Sequence, residues 1–353
     1  MYTRKIYSLT TLLKWTRNET AVFAVIASIP VIAFEVLEQH WFFLPWLPIA
    51  LVGTAVAFIL GFQNNATYDR IWEARKIWGG IVNTSRAWAL MVNDFITTDF
   101  VPEGGAQPSL APLKKRLILR HVAWTTALRH AMRESRPWEH VMKARSNREW
   151  NDMIQVHEHT HSLEDDLAGY LDDAESNAVL TKTNKPAQIL ALQSTQLRQL
   201  RQADLIDDFR HMAMEKTLVE LMGLQGRSER IKNFPYPRQY ATLNAVFVWI
   251  FLLLLPLGLV NEFHKIGTSL SIQELPAGQY FIWLSIPFSV LVMWVFHTME
   301  RVGRSGENPF EGSPNDVPIT TMSRGIEIDM RQIIDDDPGS IPGPIEAKHS
   351  TQS

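Results

Sequence analysis

The sequence predicts an all-α fold: a polytopic membrane protein with four transmembrane helices and a large cytosolic helical region. Three observations lead there. Apolar residues of the 353-residue chain are gathered into a few windows near the roughly 20 residues that a bilayer-crossing helix needs, although the mean hydropathy of -0.07 is that of a soluble protein. The polar stretches between these windows place their apolar residues at helical spacing. Most of the Lys and Arg falls within residues 63–239, which the positive-inside rule assigns to the cytosol.

Composition removes several kinds of function. A formal net charge of -3 does not provide the basic face that nucleic-acid binding needs. With 0 cysteines there is no disulfide, no thiolate nucleophile and no cysteine-type zinc site. The opening MYTRKIYSLTTLLKWTRNET is basic, but no small-residue cleavage site follows a short apolar core, so it is expected to stay in the mature protein.

In chain order, residues 1–19 form an amphipathic cytosolic segment. Ile6, Leu9, Leu12 and Leu13 stand at helical spacing against Arg4, Lys5, Lys14 and Arg17, which fits a membrane-surface helix or a segment packed on the body. Residues 20–62 hold the first two spans. The first is AVFAVIASIPVIAFEVLEQHWFF (Ala21 to Phe43), weakened at its far end by Glu35 and Glu38. Pro45 and Pro48 bracket an expected tight reversal. The second span begins near Leu47, carries no charge to Phe62, and continues without a breaker to about Phe95 as a polar, tryptophan-rich helix. Residues 63–239 form the cytosolic helical region, interrupted by the Gly/Pro-rich break Val101 to Pro112, with a later helix opening at Asn184 to Pro186. Residues 240–300 hold the third span (Ala241 to Val260) and the fourth (Gln279 to Met299), joined by a loop whose one cation is Lys265. Residues 301–337 form a C-terminal cytosolic strap, and 338–353 have the Pro/Gly/Ser content of a disordered tail. Both termini are then cytosolic and the chain is multi-pass in the cell membrane, the inner membrane if the source is Gram-negative.

Catalytic chemistry finds little support. His157, His159 and His161 in HEHTH have a metal-compatible spacing, but there is no HExxH pattern, and Glu158, Glu164, Asp165 and Asp166 read as a solvated acidic surface. Asp172 with Asp173, and Asp207 with Asp208, are adjacent and diverge on a helix, so they read as solvent-facing pairs. No phosphate loop, dinucleotide fingerprint or nucleophile elbow occurs. The expectation is a protein that is not an enzyme, without catalytic residues, cofactor or metal. Thr54, Phe58 and Phe62, each four residues apart, line one slowly drifting face of the second span. They either pack against neighbouring helices or, from several subunits, form stacked aromatic rings that gate by dewetting.

The block GFQNNATYDRIWEARKIWGGIVNTSR (Gly61 to Arg86) resembles the signature of the bestrophin family in its bacterial branch. GRSERIKNFPYPRQY (Gly226 to Tyr240), before the third span, and ENPFEGSPNDVPI (Glu307 to Ile319) with IEIDM (Ile326 to Met330), after the fourth, resemble the same family in the same order. From about Val101 to Lys185 the chain shows little that matches.

The resemblance implies a homopentameric ion channel in the lipid bilayer, with one axial pore lined by the second span of each subunit. It implies that Thr54, Phe58 and Phe62 form the pore neck. Family necks carry bulky apolar residues at all three positions, so Thr54 makes the outermost ring wider or more easily wetted. A second, cytosolic constriction follows a proline that matches Pro186, which points to Ile189, preferred for its bulk, or Ala187. The acidic run that forms a calcium clasp in animal members is thin here: after Asn308, Pro309 and Phe310 the segment Glu311 to Asp316 offers two carboxylates. Calcium takes six to eight oxygens, so no calcium activation is expected, and the motif is read as structural. Asp69, Arg70, Glu73 and Arg75 are read as a polar network joining helices, Trp72 and Trp78 as anchors, and Gly79 and Gly80 as points of close helix approach. The permeant ion is expected to be an anion, chloride, attracted by the positive ring edges of Phe58 and Phe62. The alternatives are a monovalent cation channel of the same fold and a non-conducting membrane scaffold or sensor.

Overall fold

The computed structural model describes residues 1–102, 108–139, 145–272 and 278–353. Residues 103–107 of the expected break, 140–144, and 273–277 of the expected loop before the fourth span lie outside them. The described elements are helices: α1 Leu9–Glu35, α2 Trp46–Phe95, α3 Leu110–Arg133, α4 Arg145–Ile154, α5 His157–Thr160, α6 Leu163–Leu167, α7 Asp173–Leu180, α8 Lys185–Gln202, α9 Asp208–Asn233, α10 Arg238–Ile272, α11 Ser285–Ser305 and α12 Ile319–Ile333. A 3-10 stretch, Gly278–Leu284, leads into α11. Among the described residues the only β pairing is in isolated bridges.

The chain divides into two compact units. One comprises Lys5–Arg70 and Tyr236–Glu307. It contains α1, the first part of α2, α10 and α11, and each of these helices is long and apolar enough to cross a membrane. Its core is apolar side chains of all four, among them Phe23, Val56, Leu60, Phe251, Leu255 and Met293. The other unit comprises Met1–Arg4, Ile71–Pro235 and Asn308–Ser353. Its core gathers Trp78, Trp88, Trp124, Leu128, Leu197, Leu221, Phe310 and Met330, with the three indoles fully buried.

Several boundaries differ from the sequence expectation for physical reasons. The lead-in is not a separate surface helix. Ser8 caps α1 by accepting from the Thr11 amide at 3.2 Å, and nothing breaks the helix between Leu9 and Pro30, so lead-in and first span are one rod. That rod stops at Glu35, short of Phe43, where the amides of Val36 and Leu37 both turn to the Ile32 carbonyl and Glu38 adopts a positive φ of 52°. Pro48 falls inside the first turn of α2, where a missing N–H costs nothing, so the reversal is made by residues 36–45. The third span runs on to Ile272: the residues after Val260 contain no breaker, and at Gly267 the helix approaches Gly278 so closely that a Cβ would stand 2.7 Å from its carbonyl oxygen.

Caps explain several acidic residues. Asp172 and Asp207 are the N-caps of α7 and α9, accepting from the amides of Glu175 and Arg210, each at 2.9 Å. Asn184 caps α8, with Pro186 in its first turn, as the sequence indicates. The tail expected to be disordered instead returns to the start of the chain. Tyr2 pairs with Thr351, and the Thr3 amide donates to the Ser350 carbonyl at 2.8 Å. Backbone pairing, which composition does not register, holds this end.

Candidate functional site

The second membrane-length helix presents two unlike faces. Gly53, Val56, Leu60, Gln63 and Thr67 are buried, whereas Leu47, Leu51, Thr54, Phe58, Phe62, Asn65 and Asp69 are exposed. Their three- and four-residue steps draw one continuous stripe along the helix. The inner face is set by close approach: a Cβ at Gly53 would stand 2.6 Å from the Phe251 ring. With the glycine face packed, Phe58 and Phe62 point outward at 67% and 72% exposure, and nothing in their own unit covers them. Thr54 is exposed too, but its hydroxyl donates to the Ala50 carbonyl at 2.9 Å, so its polarity is satisfied within the helix. Thr54 to Phe62 covers about 12 Å at 1.5 Å per residue.

At the next residue, on the buried face, sits a polar node that sequence reasoning did not single out. The Gln63 amide donates to Glu307 at 3.1 Å and accepts from the Asn244 amide at 3.1 Å. All three side chains are buried. Burial pushes the Glu307 carboxyl up to about 7, against the opposing pull of Arg304, the Gln63 hydrogen bond and Arg238. Glu307 heads one of the quoted motif blocks, but nothing in its neighbours in sequence marks it as buried.

The Asn308–Pro309–Phe310 motif forms a knot in the other unit. Phe310 is fully buried with a φ of 77°, a left-handed conformation that a bulky residue adopts only when its surroundings enforce it. The enforcement comes from Asp316. One of its oxygens accepts from the amides of Phe310 and Val317 at 2.8 and 2.7 Å, and the other from the Gly312 amide at 2.8 Å and the Arg133 guanidinium at 3.1 Å. This carboxylate has little lone-pair capacity left for a cation.

Other expected residues fall differently. Ile189 is 0% exposed in the core, so it has no free surface with which to line a ring, while Ala187 is partly exposed. The candidate for a cytosolic constriction therefore moves from Ile189 to Ala187, because Ile189 is on the packed face of α8. Glu73 pairs with Lys76 at 2.7 Å on its own helix, and Arg75 reaches the Met1 thioether at 3.3 Å. Arg70 feels the charges of Glu307 and Arg238. Trp78 is an anchor, but Trp72 is 47% exposed. Gly80 allows the close approach of Leu224, whose methyl would stand 2.9 Å from a Cβ; nothing lies within 4 Å of that position at Gly79.

The histidine run is not part of a solvated acidic surface throughout. Glu158 is buried against Arg129 and Arg133, and Thr320 donates to it at 2.8 Å. Burial raises its carboxyl, but the two guanidinium groups outweigh that and hold it at about 2. Asp166 bridges His130 at 2.8 Å and His157 at 2.9 Å, and His161 stacks on His157 with ring centroids 4.0 Å apart. Among the described residues no group of His, Cys, Asp and Glu is arranged to hold a metal ion.

Among the described residues, which are predominantly helical, four helices are long and apolar enough to cross a membrane, as expected of a polytopic membrane protein. The family model for bacterial and fungal bestrophins matches residues 11–332, and the chain belongs to that family. A voltage-dependent anion channel-forming protein of Ralstonia nicotianae is 28% identical, over 81% of this chain and 76% of its own. Another so named, from Escherichia coli K12, is 26% identical, over 84% of this chain and 82% of its own. The crystal structure of a bestrophin homologue from Klebsiella pneumoniae has the same fold, with a TM-score of 0.69 at 23% identity, covering 90% of this chain and 98% of that one. The kinship is with channels, not enzymes.

Proposed function

We propose that the chain is a passive anion channel, conducting chloride, that assembles as a homopentamer around the exposed stripe of α2. The observation that carries this reading is the outward projection of Thr54, Phe58 and Phe62 from a helix whose opposite face is fully packed. Stripes from several copies facing one axis would give stacked apolar rings that pass ions only when wetted. Ring edges carry partial positive charge and favour an anion, in keeping with the anion channel-forming relatives. In this reading residues 63–239 and both termini lie in the cytosol, 301–337 act as a strap, and Ala187 marks a second constriction. Calcium does not activate the channel, because Asp316 spends its oxygens on three amides and Arg133.

The test is single-channel recording in a planar bilayer under a potassium chloride gradient. The reversal potential is expected near the chloride equilibrium value, and reversal near the potassium value would overturn anion selectivity. Phe58→Ala and Phe62→Ala should each raise unitary conductance severalfold with assembly intact. Loss of assembly in these variants would instead mark the stripe as packing. Micromolar calcium should leave open probability unchanged.

A further inference from the structure

We propose that the N-terminal end of α1 is a docking surface for anionic phospholipid headgroups. The proposal rests on reading α1 as a membrane span. Its inner face is occupied: Thr16 is buried and accepts from the Trp294 indole at 2.9 Å, while the Arg301 guanidinium lies 4.0 Å over the Trp15 ring and binds Glu19 at 2.9 Å. The outer face is a single exposed stripe. From Ile32 back through Ile29, Val25 and Val22 it is wholly apolar, and then within about two turns it becomes Asn18, Arg17 and Lys14.

The distance fits a bilayer. Lys14 to Ile32 rises about 27 Å at 1.5 Å per residue, close to the roughly 30 Å of a hydrocarbon core. If the apolar part of the stripe faces acyl chains, Lys14 stands at headgroup depth, where a long cationic side chain extends to phosphate. Exposed Leu13, Leu9 and Ile6 lie at the same end, interleaved with this cation and with Lys5. The first acidic residue in the sequence is Glu19, and Arg301 already holds it. Cations and apolar side chains exposed together, with the nearby carboxylate engaged, match the boundary between acyl chains and phosphates. A cationic cluster also discriminates between lipids, since anionic headgroups attract each Lys or Arg near the surface and zwitterionic ones do so far less.

The test uses the full chain, purified and reconstituted in nanodiscs of phosphatidylcholine alone or with phosphatidylglycerol, with bound lipid counted by native mass spectrometry. Wild type should retain phosphatidylglycerol in preference to phosphatidylcholine. Lys14→Gln should weaken that retention about fivefold, Lys5→Gln with Lys14→Gln should weaken it further, and Lys14→Arg should preserve it. Lys265→Gln, remote in sequence, should leave it unchanged, as should competition with inorganic phosphate. Equal retention of the two lipids by wild type, or by wild type and the double variant, overturns the proposal. Failure of the wild-type protein to enter nanodiscs at all would instead overturn the membrane reading. Melting temperatures of each variant separate lost binding from lost folding.

Discussion

Burial raises the Glu307 carboxyl to about 7 from the 4.5 ordinary for glutamate, and the sign of its effect on stability follows from that. Between those values the folded chain holds a proton that the unfolded chain has released, so stability is greatest below about pH 4.5 and falls as pH rises towards 7. The full effect is about 3 kcal/mol. Glu307→Gln should therefore flatten the melting temperature across that window and raise it at pH 8, as measured by thermal unfolding in detergent. Glu158 has the opposite sign. Desolvation opposes ionisation, but Arg133 and Arg129 prevail and hold it at about 2, so its contribution is full above pH 4.5 and is lost as pH falls towards 2. Glu158→Gln removes the carboxylate that Arg129 and Arg133 share and leaves them only Asp166 and Asp316. It should cost about 2 kcal/mol at neutral pH and make the acid limb of the same melting curve shallower.

At the scale of the element, the position of Phe58 and Phe62 depends on how α2 is held from behind. Gly53 faces the Phe251 ring at a distance that leaves no room for a side chain, and Phe251 is itself buried. Gly53→Ala should therefore push α2 away from α10, lowering stability by about 1–3 kcal/mol as overpacking does. Phe251→Leu in the same chain should restore part of the loss, a coupling that a double-mutant cycle on melting temperature will read. The sequence made α2 legible as one helix because the chain from Ile49 to Phe95 contains no breaker after Pro48. It also showed which residues share the stripe, since that needs periodicity alone. It did not show which side of a helix is packed. Bulk favoured Ile189, but bulk is also what a core takes up, and Ile189 is in the core. Glu158 was equally hidden: among histidines and acids it looks solvated, and only the distant Arg129 and Arg133 make it a buried ion pair. The tail likewise has the composition of disorder, but backbone hydrogen bonds to the N-terminus hold it.

The two units of the molecule expose apolar side chains for different reasons. In the unit with the membrane-length helices, residues such as Val25, Ile29, Leu253 and Leu291 can face lipid. No such account serves α9 if residues 63–239 are cytosolic. There Phe209 at 86% exposure, Met212, Val219 and Met222 form an outward stripe that spans about 20 Å of helix. Large apolar side chains exposed in water on one side of a helix, here with Glu215 and Lys216 among them, fit a contact with another protein, and in a cyclic assembly each subunit meets two copies of itself. The α9 stripe is thus the surface expected to close the cytosolic part of the ring. Phe209→Glu with Val219→Glu should disrupt that contact while leaving the monomer core intact, because neither side chain is buried. Light scattering with detergent correction should give a protein mass of five times 40.4 kDa for the wild type and a smaller assembly for the double variant. A double variant that stays pentameric would exclude this stripe from the interface, and a wild type of any other mass would overturn the pentamer itself.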